Sequence, residues 1–122
     1  MADPRNNQID YIEFQTPNMA SSRAFYSQVF GWPFTEWGED YVSFEDGRLA
    51  GGLCSPEASG SGSNPLVVFF FEDLEALRGR VQQAGGKIVK DIFAFPGGHR
   101  FHFTEPGGLE MAAWSDRDAD AQ

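Results

Sequence analysis

In a chain of 122 residues with two histidines and one cysteine, acid–base chemistry has few places to reside. His102 is the first candidate, because imidazole titrates near neutral pH and a carboxylate beside it, Glu13 or Glu110, would orient it as a base. Arg100 could pair a ligand carboxylate or phosphate, or form an ion pair with Glu13 or Glu110. Both lie in the run His99–Thr104 (HRFHFT), where extended backbone turns Phe101 and Phe103 to one side and Arg100, His102 and Thr104 to the other. The two phenylalanines suit a face covered by helices. His102 is therefore expected on the open face, serving ligand recognition more than folding. His99 follows Gly97-Gly98 and reads as an exposed loop residue, while Cys54 reads as an inert thiol. Trp37 and Tyr41 flank a hairpin and read either as a pocket lid or as a subunit contact. The sequence holds no nucleotide fingerprint, nucleophile elbow or cysteine pair, so no motif names a substrate.

The elements that must carry these residues follow from periodicity. Ile9–Gln15 (IDYIEFQ) alternates as a half-buried strand. Asn18 suits a helix N-cap and Gly31 a left-handed C-terminal cap, which predicts a helix over 19–30 whose inward stripe is Ala20, Ala24, Phe25, Gln28 and Val29. Extended pieces follow at 33–37, 41–45 and 48–54, with a hairpin signal at Asp46-Gly47. Ser55–Asn64 (SPEASGSGSN) has no periodicity and reads as a flexible connector. The order then starts again: a strand from Leu66 to Phe71, a helix with Leu74, Leu77, Val81 and Ala84 on one face, and strands at 87–95, 99–104 and 109–114. FEDG (Phe44–Gly47) aligns with FTEPGG (Phe103–Gly108), and FGW (Phe30–Trp32) with AGG (Ala84–Gly86), so the halves read as an internal repeat. The predicted class is α+β. Tandem βαβββ modules at about 8–54 and 65–114 form one curved mixed sheet, with helices outside and a concave ligand cavity. Residues 55–64 are the linker and 115–122 a flexible tail, in which Asp116, Asp118 and Asp120 read as solvated.

Composition narrows the partners. A formal net charge of −9, with Lys and Arg scattered, disfavours nucleic acid and anionic lipid. The absence of a long apolar run or signal-peptide core, with a single cysteine, points to a cytoplasmic protein without membrane association.

The tandem order, the segment RAFYSQVFGW (Arg23–Trp32) after a strand ending in TPN, and the turn TEPGG closing into a last strand resemble the vicinal-oxygen-chelate superfamily. That group includes glyoxalase I, extradiol dioxygenases, fosfomycin-resistance proteins and bleomycin-binding proteins. The resemblance covers residues 8 to 114 and specifies fold more than activity. It implies a divalent-metal site with ligands from the first and last strands of each half. Carried over, those positions are Tyr11, a residue near Gly51, Leu66 and Ala112, a set poor in metal donors. The expectation is no cofactor, with Glu110 as the substitute if the last strand slips by two residues.

Alternation from those positions assigns the concave face. The expected ligand-binding residues are Tyr11, Glu13, Val68, Phe70, Arg100, His102, Glu110 and Trp114, with Gln15, Leu49, Gly51, Leu53, Leu66, Ala112 and Thr104 on the same face. The resemblance further implies a homodimer. Three functions compete: a metal-free protein that sequesters a small, partly aromatic or amphipathic molecule; an enzyme, namely a glyoxalase-like lyase, isomerase or dioxygenase with non-standard ligands or His102 as base; and a partner-binding module whose cavity is collapsed by Trp114 and Phe70.

Overall fold

The computed structural model describes residues 2–117. In chain order the elements are β1 (Gln8–Gln15), α1 (Met19–Phe30), β2 (Phe34–Glu36), β3 (Tyr41–Glu45), β4 (Ala50–Cys54), α2 (Pro56–Ser59), β5 (Leu66–Phe70), α3 (Leu74–Gln83), β6 (Lys87–Phe95), β7 (Gly98–Thr104) and β8 (Glu110–Ser115). This is the predicted α+β order with α2 added. The chain packs as two compact units, residues 11–66 and residues 2–10 with 67–117.

Within the first unit the strand order is β2-β3-β4-β1; β1 and β4 are parallel, and the other neighbours antiparallel. Within the second the order is β5-β8-β7-β6, with β5 and β8 parallel and the rest antiparallel. Pairing therefore repeats as the sequence does. The closing turns repeat too. Asp46 accepts from the Leu49 amide at 2.7 Å, and Glu105 from the Leu109 amide at 2.9 Å, each acid tying off the turn before the last strand of its module.

Helix α1 starts and stops as predicted. The Asn18 side chain accepts from the Ser21 amide, and Gly31 takes φ 71°, a left-handed cap that glycine adopts without a Cβ penalty. Its inward face differs from the expected stripe. Met19, Ser22, Arg23 and Tyr26 are the partly buried residues, and Tyr26 stacks on Phe14 and Trp32. Ala20, Ala24, Phe25, Gln28 and Val29 point outward, with Phe25 and Val29 56% and 55% exposed. Both stripes have helical spacing; the aromatic stack led by Tyr26 decides which one packs. In α3 the expected face is the packed one, since Leu74, Leu77 and Val81 lie on Phe101 and Ala113, although Ala84 is exposed.

Two connecting segments depart from expectation. The linker 55–64 contains α2, capped by Ser55, and is fastened to β1: the Gln15 side chain donates to the Ser61 and Ser63 carbonyls, and Asn64 exchanges two bonds with the Gln15 backbone. Polar side chains supply order where apolar periodicity is missing. The expected tail begins too early at 115, because Ser115 is a buried strand residue donating to the Glu72 carbonyl. Asp116 and Arg117 are ion-paired with Arg5 and with Asp3 and Glu72, respectively. The part of that tail at 118–122 lies outside the described residues.

Candidate functional site

In the second unit, the face opposite α3 is built by pairing. His102 sits opposite Ala112 on β8 and Lys90 on β6, Arg100 opposite Trp114 and Phe93, and Thr104 opposite Glu110. Phe101 and Phe103 turn the other way, toward α3. His102 is thus on the expected side of β7. Two register shifts in β6 are bulges that re-aim the strand. They place Phe93 and Phe95 beside Arg100 and Gly98, on the face that carries His102.

His102 is 1% exposed. The Arg100 Nε donates to its Nε2 at 3.2 Å, and guanidinium has no acceptor, so the His102 proton resides on Nδ1 and is donated to Glu110 Oε2 at 3.0 Å. Burial pushes the His102 pKa below its ordinary value; the Glu110 hydrogen bond opposes this, while the Arg100 and Lys90 charges add to it. The result is a neutral, tautomer-fixed imidazole whose lone pair is engaged by Arg100. It orients the arginine.

Around this polar row stands an aromatic wall. Trp114 meets Phe70 edge-on at 5.3 Å and Phe95 at 6.2 Å, and its Nε1 donates to Asp10 at 2.9 Å. Val68 and Phe70 are buried, with the Arg5 guanidinium over the Phe70 ring at 3.9 Å. Trp114, Phe95 and Arg100 are partly exposed, and Phe93 is exposed.

In the first unit, Tyr11, Glu13 and Gln15 on β1 pair with Ala50, Gly52 and Cys54 on β4. Gly52 also pairs with Ser43 between Tyr41 and Glu45 on β3. Tyr41 donates to Glu13 Oε2 at 3.0 Å, and the two phenol oxygens of Tyr11 and Tyr41 stand 2.5 Å apart. Because Tyr41 gives its proton to Glu13, Tyr11 is the donor to Tyr41. Burial, reinforced by the Glu13 charge, pushes the Tyr41 phenol far above its ordinary range, so it acts as a neutral relay. Gly52 makes room: a Cβ there would lie 2.2 Å from the Tyr41 hydroxyl.

Gly51 and Leu53 were expected on this face and are not on it. A Gly51 Cβ would meet the Phe44 ring at 2.4 Å, and Leu53 pairs with the buried Val42. The turn Asp46–Leu49 sets Ala50 opposite Glu45, which makes Gly52 the counterpart of Ala112. Of the expected residues, Val68, Phe70, Arg100, His102, Glu110 and Trp114 gather in the second unit, and Tyr11 and Glu13 in the first. Phe93 and Phe95 were missed because bulges leave no mark in a simple alternation. Asp10 and Arg5 were missed because nothing in their neighbourhood pointed to Trp114 or Phe70.

Residues 8–112 match the Glyoxalase/Bleomycin resistance protein/Dioxygenase superfamily. The chain belongs to this superfamily. Its fold is shared with methylmalonyl-CoA epimerase from Mycobacterium tuberculosis (TM-score 0.74, 11% identity, 99% of this chain and 95% of that one). It is shared also with the Mn(II)-bound glyoxalase from Novosphingobium aromaticivorans (TM-score 0.69, 24% identity, 93% of this chain and 40% of that one). The Anthracycline biosynthesis protein DnrV of Streptomyces peucetius is 27% identical over 124 residues, 85% of this chain and 45% of that protein. A second such protein, DauV of Streptomyces sp. (strain C5), matches at the same identity and coverage. The chain thus spans about half the length of these relatives.

Of the positions that the resemblance assigns to metal ligands, Tyr11 carries a phenol engaged with Tyr41, and the Gly51-Gly52 pair, Leu66 and Ala112 are the others. Gly, Leu and Ala side chains offer no donor to a metal, and the Tyr11 proton is shared with the Tyr41 phenol. Among the described residues, no group of three or more His, Cys, Asp and Glu side chains is placed to hold one, and no helix is long and apolar enough to cross a membrane.

Proposed function

We propose that this superfamily domain binds a planar, partly aromatic small molecule without a metal, against the second-unit face formed by Trp114, Phe93, Phe95 and Arg100. The observation that carries the reading is the combination on one face of partly exposed aromatic rings and an arginine that donates to a neutral histidine, itself held by the Glu110 carboxylate. Rings supply area at low entropic cost, and a few fixed polar groups supply orientation. Relatives named for anthracycline biosynthesis favour a fused-ring ligand. The engaged lone pair of His102 disfavours the enzyme reading, since a base at that nitrogen requires Arg100 to leave. Within the first unit, Tyr11 and Glu13 are proposed as a ligand contact of that unit's own, their hydroxyl and carboxylate set by Tyr41.

The domain is proposed to act as a homodimer. The outward Phe25, Val29 and Phe30 of α1 support an apolar contact of that kind. The test of the binding reading is mass spectrometry of the protein purified without added ligand, followed by equilibrium dialysis against doxorubicin as the anthracycline probe. A co-purified or dialysed aromatic molecule at one per chain is expected. Retention no greater than that of Trp114→Ala contradicts the reading.

A further inference from the structure

We propose that the planar ligand carries a carboxylate and that Lys90 receives it. The proposal rests on the ligand face assigned above to the second unit. Pairing lays that face out in rows. Trp114, Arg100 and Phe93 form one row across β8, β7 and β6, and Ala112, His102 and Lys90 form the next. Ala112 and His102 are buried, whereas Lys90 is half-buried, so the lysine is the member of its row that a ligand on the Trp114 row can meet. Rows on one face of a sheet stand two residues, roughly 7 Å, apart, a gap that the flexible four-carbon stem of a lysine can cross.

Lys90 faces this row only because β6 is irregular. Ile88 and Ile92 pack with Leu74, Phe101 and Ala113 against α3, and Lys90 lies midway between them, so regular alternation would turn all three to the same side. One register shift falls between Ile88 and Lys90 and the other between Lys90 and Phe93. The first turns Lys90 to the His102 side; the second returns Ile92 to the α3 side and leaves Phe93 on the His102 side. Bulges re-aim side chains in this way. The ammonium stands close to the imidazole, since after burial and the Arg100 charge it is the Lys90 charge that lowers the His102 pKa. The carboxylate of this face, Glu110, is bound to His102 at 3.0 Å, and among the described residues Lys90 takes part in no ion pair. The neutral His102 offers no charge to an anion, and the Arg100 Nε is spent on His102. A cation turned inward by two bulges and left without a protein carboxylate suits an acid group on the ligand.

The test compares 2-naphthoate with its uncharged amide, 2-naphthamide, in fluorescence titrations near neutral pH of wild type, Lys90→Met, Lys90→Gln and Trp114→Ala. Far-ultraviolet circular dichroism and melting temperature establish that each variant is folded. Wild type is expected to bind the acid about fivefold tighter than the amide, the upper end for a partly exposed ion pair. Both Lys90 variants are expected to lose that preference by binding the acid more weakly, with the amide unchanged within about twofold. Equal affinity of wild type for the two probes, or a preference that survives in both Lys90 variants, overturns the proposal. An equal loss of both probes in the Lys90 variants overturns it too, because the lysine then serves packing and not charge. If wild type binds the probes and Trp114→Ala does not, any of these results removes the Lys90 assignment alone. If wild type binds neither probe, the ligand face falls with it.

Discussion

Gly52 offers a direct test of the phenol relay, because its substitution acts through space and not through backbone conformation. A Cβ at Gly52 would lie 2.2 Å from the Tyr41 hydroxyl, 2.5 Å from its Cζ and 2.8 Å from the Tyr11 hydroxyl. Gly52→Ala must therefore displace the end of Tyr41, a stiff side chain that is also hydrogen-bonded to the buried Glu13. Overpacking of this kind costs about 1–3 kcal/mol, and leaving a buried carboxylate without one donor costs about 1–3 kcal/mol. Partial relaxation keeps the total at about 2–4 kcal/mol. Urea unfolding should show a midpoint lower by about 1–2 M, taking a slope of about 2 kcal/mol per M. The cycle with Tyr41→Phe isolates the relay: with the hydroxyl gone, Gly52→Ala should cost about 1 kcal/mol less than in wild type. A loss below about 0.5 kcal/mol for Gly52→Ala, or strict additivity with Tyr41→Phe, would mean that Gly52 does not make room for a Tyr41–Glu13 bond.

Three further outcomes follow from the geometry. The folded His102 pKa lies below its unfolded value near 6.5, mainly through burial, so the unfolded chain takes the proton first; its stability contribution is complete above pH 6.5 and declines below it. His102→Gln should flatten the pH dependence of urea midpoints between pH 8 and pH 5.5, and an unchanged slope would mean that His102 is not the group responsible. Asn64→Ala removes the two reciprocal bonds with Gln15 and should cost about 1–2 kcal/mol in the same assay; a neutral result would restore a loosely tethered linker. Light scattering at tens of micromolar should report a dimer that Phe25→Glu with Val29→Glu converts to monomer, whereas a wild-type monomer would remove the α1 contact.

Much of the fold is legible in the sequence because its punctuation is local. Asn18 and Gly31 bound α1, and the acidic turns at Asp46 and Glu105 close each module where the repeat predicts. Alternation in HRFHFT correctly turned Phe101 and Phe103 toward α3 and His102 away from it. The errors arise where packing chooses between equivalent patterns. Two stripes on α1 share the helical period, and the Tyr26–Trp32–Phe44 stack selects the one without Phe25. A one-residue offset put Gly51 on the wrong face, since a glycine pair shows no side-chain alternation. The bulges in β6 hid Phe93 and Phe95, and the depth at which His102 is buried, hydrogen-bonded to Arg100 and Glu110, was not legible. Burial by polar neighbours leaves no periodic trace.

Metal-independent binding of a planar aromatic molecule against Trp114 is read out by one titration. Doxorubicin fluorescence is followed against wild type and Trp114→Ala, each first in EDTA and then with added manganese(II). Wild type should bind saturably and equally in EDTA and in manganese, and Trp114→Ala at least tenfold more weakly, about 1.4 kcal/mol. Binding that appears only with manganese, or that Trp114→Ala leaves intact, would contradict it.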